Sequence, residues 1–417
     1  MNDFFKYRSL VIIIFFISAC LFLFNRCITN EKDKTAAATV NGYTGYAGSA
    51  SCKNCHQSIV ASHMNTAHLH TSEIANEKTI KGSFDAAHSS YTYFNNGGMI
   101  NMEKRGDGFY QVGYINGVEK KAQRFDMTIG SANDGQSYTA WVGNKLVQLP
   151  VTYFTSADAW SNSPGYPNKL AFNRPITSRC LECHTTYAQK ISPEAKEPEE
   201  FDHSTMILGV DCEKCHGPAA KHVAFQQEHP KDTVGKFITN PVSFSRQQSL
   251  DLCALCHGGR LQKSKPSFSF NAGNKLTDHF LIDTAGRDIN SIDVHGNQYG
   301  LMAASKCFTM SNTLTCNSCH NVHENEKGKT TLFAQRCNSC HSKHDNTTVC
   351  KMTATLNKEQ LDKNCINCHM PEQPSMAIAV ILQGQQLPTP ALMHTHLVKN
   401  YPNETQKILA LIKATHN

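Results

Sequence analysis

The sequence predicts short α-helices and long ordered loops packed around bulky covalent groups, with one β-rich unit inserted. Three observations predict it. A pentapeptide, Cys-x-x-Cys-His, occurs seven times. In a chain of 417 residues that leaves roughly 60 per copy, so whatever the copies hold forms much of the core. Residues 79–155 carry no copy and are punctuated instead by hairpin turn signals.

Take Cys212-Glu213-Lys214-Cys215-His216. Two thiols three positions apart, followed at once by a histidine, suit covalent attachment of a c-type haem. Each thiol adds to a vinyl group, and the imidazole then lies under the macrocycle to ligand the iron. The other copies are Cys52, Cys55 and His56; Cys180, Cys183 and His184; Cys253, Cys256 and His257; Cys316, Cys319 and His320; Cys337, Cys340 and His341; and Cys365, Cys368 and His369. Zinc sites and redox dithiols also use Cys-x-x-Cys, but neither requires the histidine. With 21 His in the chain, one after all seven pairs is about a one-in-a-billion coincidence. The expected cofactors are therefore seven covalent haems, with these histidines as proximal iron ligands.

The net charge of +6 does not signal a nucleic-acid partner. Lys and Arg are scattered rather than clustered, and two propionates per haem offset the excess. Fourteen of the 18 Cys belong to the motifs; Cys20, Cys27, Cys307 and Cys350 do not. Haem attachment places the chain outside the bacterial cytoplasm, where a disulfide between Cys307 and Cys350 could persist. Two unrelated thiols is the competing reading.

Residues 1–30 read as a signal or membrane-anchor segment. Lys6 and Arg8 precede the apolar run Leu10 to Phe24. An uncleaved anchor, a cleaved signal and lipidation at Cys20 or Cys27 are all open, and membrane attachment on the periplasmic side is favoured over release into the periplasm. Residues 31–48 read as a linker.

Residues 49–78 hold the first haem site, with a helix expected over Gln57 to His70. Residues 79–155 are the β-rich insertion, expected to cover the first haem and lead back to the second. Strands are expected around Asn95-Asn96-Gly97-Gly98, Asn116-Gly117 and Asn144-Lys145. Trp141 and the Tyr residues are expected in its core. Residues 156–260 hold sites two to four and 261–400 sites five to seven, with a C-terminal helix or tail over 401–417. The Pro- and Glu-rich run 191–200 reads as an exposed loop. Arg260 could pair with a propionate or face solvent.

Seven haems need up to seven distal ligands, and fourteen His lie outside the motifs. The candidates chosen are His68, His203, His222, His295, His323, His344 and His396. Three residues span at most about 10 Å. His323 therefore cannot reach round the macrocycle held by His320, nor His344 round that of His341. If they are ligands, they serve neighbouring haems. Met370 is excluded from the iron of His369 in the same way.

Ser51 to His56 with Thr66-Ala67-His68, Lys81-Gly82-Ser83-Phe84, Cys212 to Pro218 with His222, Cys319 to His323, and Cys368 to Pro371 with His396 resemble multihaem cytochromes c. The branch most similar contains the tetrahaem cytochrome of nitrifying bacteria, which accepts electrons from hydroxylamine oxidoreductase, and haem modules found beside tetratricopeptide repeats. Seven motifs exceed the four of those members. No motif ends in Lys, which argues against an ammonia-forming nitrite reductase.

The resemblance and the motifs together imply an electron carrier. Its haems would be six-coordinate with two His each, passing electrons between a quinol-linked or other periplasmic donor and a terminal reductase or another cytochrome. The alternative is a reductase or oxidase of a small nitrogen or sulfur compound at one open-coordination haem. The fourth motif is the natural candidate, having no His close behind it until His279.

Overall fold

The computed structural model describes residues 45–94, 98–106, 108–194, 196–282, 288–341 and 350–415. The expected anchor segment, Cys20, Cys27 and His344 lie outside the described residues. Among the described residues, no helix is long and apolar enough to cross a membrane.

The β-rich unit is two antiparallel sheets packed face to face. A meander of Ser90–Thr92, Gly98–Arg105, Gly108–Ile115 and Val118–Arg124 forms one. Alternation builds it: Ile100 and Met102 point inward, while Asn101 and Glu103 lie outward. Asn116 and Gly117 both take positive φ, 51° and 75°, as the tight turn between its last two strands requires. The second sheet runs through Ser72–Ile74, Met127–Ile129, Gly135–Val142, Val151–Phe154 and Ala159–Asn162. Lys145–Gln148 and Arg174–Pro175 add to it beside Gly135–Val142. The strand expected after Asn144-Lys145 breaks at Leu149-Pro150, where the proline has no N–H to donate.

Between the sheets lie Tyr91, Ile100 and Met102 from one side and Tyr138, Ala140 and Trp160 from the other. Each large apolar side chain contributes about 1.5–3 kcal/mol by leaving water. Gln111 bridges the sheets, donating to Val151 O at 2.6 Å and accepting from Val151 N at 3.1 Å. Gly82 lets the Trp160 ring approach: a Cβ there would lie 2.1 Å from it.

Two features depart from the expected boundaries. The sheet recruits the hairpin Glu372–Leu382 and Thr389–His394, with Ser161 paired to Leu382 and Asn162 to Ile381. Nothing local marks that pairing, because Ser161-Asn162 and Ile381-Leu382 are far apart in sequence. The helix expected over Gln57 to His70 stops at His63, whose carbonyl accepts from Thr66 N at 2.9 Å and from Thr66 Oγ1 at 2.8 Å. Met64 to His68 form turns and a short 3₁₀ segment follows at Leu69–Thr71.

The rest is short helices and loops. The C-terminal element is a helix, Pro402–Thr415. The 191–200 run is the turn of a hairpin, Thr185–Lys190 with Phe201–Leu208, and is not wholly exposed. Glu199 within it is buried, accepting from Ser178 Oγ at 3.0 Å and facing Lys190 Nζ at 3.3 Å. Residues 45–48, expected to be linker, are pinned to the third site. Glu213, buried, accepts from Ala47 N and Gly48 N at 2.8 Å and from Ala219 N at 2.7 Å.

Candidate functional site

Most motifs close a helix. Ser178–His184, Cys212–His216, Arg246–His257, Thr330–His341 and Lys358–His369 each end on the motif histidine. Three positions of helix bring both thiols to one face, and the histidine falls in the last turn. Capping boxes start two of these helices, Ser245 with Gln248 and Asn357 with Gln360, each cap worth about 1 kcal/mol. Cys316–Ser318 is a single 3₁₀ turn, and His56 caps the helix that follows its own motif.

The sites adjoin. The thiols neighbour one another in pairs: Cys52 pushes the Cys212 thiol up, Cys183 that of Cys256, and Cys316 that of Cys253. Site one thus meets site three, and site four meets both two and five. Cys337 interacts electrostatically with Cys319 on one side and Cys365 on the other, which continues the series through sites five, six and seven. Two hydroxyls rivet the first three sites. Thr71 Oγ1 and Ser72 Oγ donate to the His184 carbonyl at 3.0 and 2.7 Å. They accept in turn from Val210 N at 3.0 Å and Gly209 N at 2.9 Å, at the approach to Cys212.

Three motif histidines face a second imidazole from a distant part of the chain. Ring centres of His68 and His257 are 6.3 Å apart, of His216 and His323 6.2 Å, and of His320 and His396 6.1 Å. The last two pairs are close to parallel, at 19° and 29°, and the first is at 67°. Metal–imidazole bonds of about 2 Å on each side place two ring centres roughly 6 Å apart. The spacing therefore fits one iron held between each pair.

Tautomers agree with that fit. A ring nitrogen facing a carbonyl oxygen must donate, which leaves the other with its lone pair. His216 Nδ1 donates to Thr239 O at 3.0 Å, His369 Nδ1 to Lys399 O at 3.0 Å, and His257 Nδ1 to Gln298 Oε1 at 3.1 Å. Each keeps Nε2 for a metal. Burial pushes His68, His184 and His396 down to about 4, so all three are neutral imidazoles at neutral pH.

The remaining candidates divide. His222 donates Nδ1 to Lys236 O at 2.9 Å and presents Nε2. His295 interacts electrostatically with His184 of the second site and with Asp134. His203 differs from these: its Nε2 donates to Gly143 O at 3.1 Å, and the ring it stacks on, at 3.5 Å, is that of Trp141 rather than a motif histidine. Trp141, half-buried, serves this stack and the edge of a smaller core.

Two histidines outside the chosen seven, passed over in favour of His68 and His396, also have a ring nitrogen placed for a ligand. His394 donates Nδ1 to Met370 O at 2.6 Å. His63 is buried, with Nε2 facing only Asp211 Oδ1 at 3.5 Å. The signal for both is three-dimensional. Cys307 and Cys350 are free thiols, not a disulfide. They lie against different sites, Cys307 beside Cys319 and Cys340, Cys350 beside Cys365 and Cys368. Arg260 is exposed.

Residues 156–217, which contain the second and third motifs, match the family model described as cytochrome c554 and c-prime. No curated protein matches the chain. Among solved structures, the outer cell wall cytochrome OcwA superposes with a TM-score of 0.52 at 15% identity, covering 87% of this chain and 81% of that one. The two chains share a fold. With the motifs, these likenesses support a c-type cytochrome that holds its haem covalently.

Proposed function

We propose that the chain is a periplasm-facing electron carrier with seven c-type haems, attached to the membrane by its N-terminal segment. Bound haem supplies a one-electron couple at each site. The residues do the rest. His257 with His68, His216 with His323, and His320 with His396 would hold three irons from both sides and deny them to water and substrate. Two fixed imidazoles also keep reorganisation small when the charge changes. The neighbouring thiols, of site one with three, two with four, and four through seven in series, support electron passage between adjacent haems, and exposed sites such as those of His56 and His341 would meet redox partner proteins. The single observation that carries this reading is the set of three cross-chain imidazole pairs at 6.1–6.3 Å.

One observation favours a second reading, a reductase or oxidase of a small nitrogen or sulfur compound. At the second site His184 is accompanied by His295 and by the half-buried carboxylate of Asp134, an imidazole and a carboxylate that could handle protons at one open iron. A carbon monoxide difference spectrum of the reduced holoprotein decides. No adduct is expected from the carrier. An adduct lost in Cys180→Ala/Cys183→Ala would establish the second reading.

A further inference from the structure

We propose that Arg336 and Glu326 are a positioning pair that sets the axial histidines of two different haem sites at once. The inference rests on the axial pairs of the preceding section. His320 of the fifth site and His323, whose ring faces His216 of the third, are carried by one turn of chain. Whatever fixes that turn fixes both rings.

The turn is held on either side of His320. Arg336 Nη1 donates to the carbonyl of Cys319 at 2.7 Å. Glu326 Oε2 accepts from the amide of Asn321 at 3.0 Å. The two side chains close on each other as a two-point ion pair, Nη1 on Oε2 at 2.9 Å and Nη2 on Oε1 at 2.5 Å. Asn321, so fixed, accepts from the amide of His323 through Oδ1 at 3.1 Å and donates through Nδ2 to Glu324 at 2.8 Å. Phe333, one helical turn before Arg336, meets the His320 ring edge-on at 5.2 Å.

Glu326 is buried and Arg336 half-buried, so the pair is shielded from solvent. A planar fork engaging both carboxylate oxygens and a carbonyl restrains rotation as well as position, which an ammonium does not. Arg336 also sits on the helix Thr330–His341, immediately before Cys337 of the sixth site. The pair therefore ties the orientation of two axial rings to the scaffold of a third site.

The test is electron paramagnetic resonance of the oxidised holoprotein, whose low-spin g-values read axial ring orientation rather than stability. His323→Ala and His396→Ala assign the signals of the third and fifth haems. Arg336→Met is expected to shift both g-patterns and leave the His68/His257 signal in place. Arg336→Lys and Glu326→Gln, milder changes, are expected to shift the same two by less. Arg105→Met, which breaks a comparable Arg–Glu pair on the β-meander, is expected to shift neither. An Arg336 variant that moves only one of the two signals, neither, or all signals alike overturns the inference. Absence of low-spin signals lost in His323→Ala and His396→Ala would instead overturn the axial reading itself, and shows in the reference spectra before any Arg336 variant is made.

Discussion

The ring of His68 faces the ring of His257 across 6.3 Å, although one lies just past the first motif and the other ends the fourth. An imidazole from far upstream thus stands against the motif histidine of the fourth site, which has no histidine close behind it in sequence. Replacing His68 by Ala is expected to open the iron at Cys253 and Cys256 to carbon monoxide and to no other effect of that size. The adduct should disappear in the triple variant that also removes those two thiols.

Glu213 is an acceptor for three backbone amides, at Ala47, Gly48 and Ala219. Glu213→Ala strands all three. Stranded buried donors cost about 1–3 kcal/mol each, so a loss on the order of 3 kcal/mol is expected after partial rehydration. Denaturant titration of the holoprotein measures it, with Glu213→Gln losing less.

Gly209 takes φ +70°, and a Cβ there would lie 2.2 Å from the carbonyl oxygen of Leu69. Neither backbone can yield without displacing the Thr71 and Ser72 hydroxyls. Gly209→Ala is expected to cost roughly 2–4 kcal/mol and to broaden the signal of the third haem, read by thermal melting and paramagnetic resonance.

His203, exposed and stacked on Trp141, predicts the opposite pattern. His203→Ala should leave every haem signal unchanged and cost less than about 1 kcal/mol. A lost low-spin signal would return it to the axial set.

Much of the site was legible because its chemistry is local. Two thiols and a histidine must be neighbours to serve one macrocycle, so all seven motifs read directly from the chain, and so did the Asn116-Gly117 hairpin. Chain geometry alone argued that His323 serves a haem other than that of His320, and its ring stands 6.2 Å from that of His216. What was hidden is set by tertiary pairing. Nothing near Cys253 points to His68, and nothing near Ser161 points to Leu382. The position of His203 before the third motif resembles that of a ligand, and what sequence could not show is that strand Phe201–Leu208 stacks it on Trp141. Glu199 misled because a Pro- and Glu-rich run reads as solvated until its Ser178 and Lys190 partners are known.

The two parts of the fold also differ in what stabilises them. The sheet pair buries its own aromatic core, Tyr91, Tyr93, Tyr138 and Trp160 among them. The helices from Arg246 onward bury few large apolar side chains. Protein made without haem attachment is expected to keep slow amide exchange in the strands and to lose it in the helix Thr330–His341.

The most direct test of the central claim is an anomalous-scattering map of iron in crystals of the haem-loaded protein. Irons are predicted about 2 Å from Nε2 of both partners in each of the three pairs, His68 with His257, His216 with His323, and His320 with His396. An iron bound to the motif histidine of any pair but with water, or a different side chain, opposite it would contradict the account.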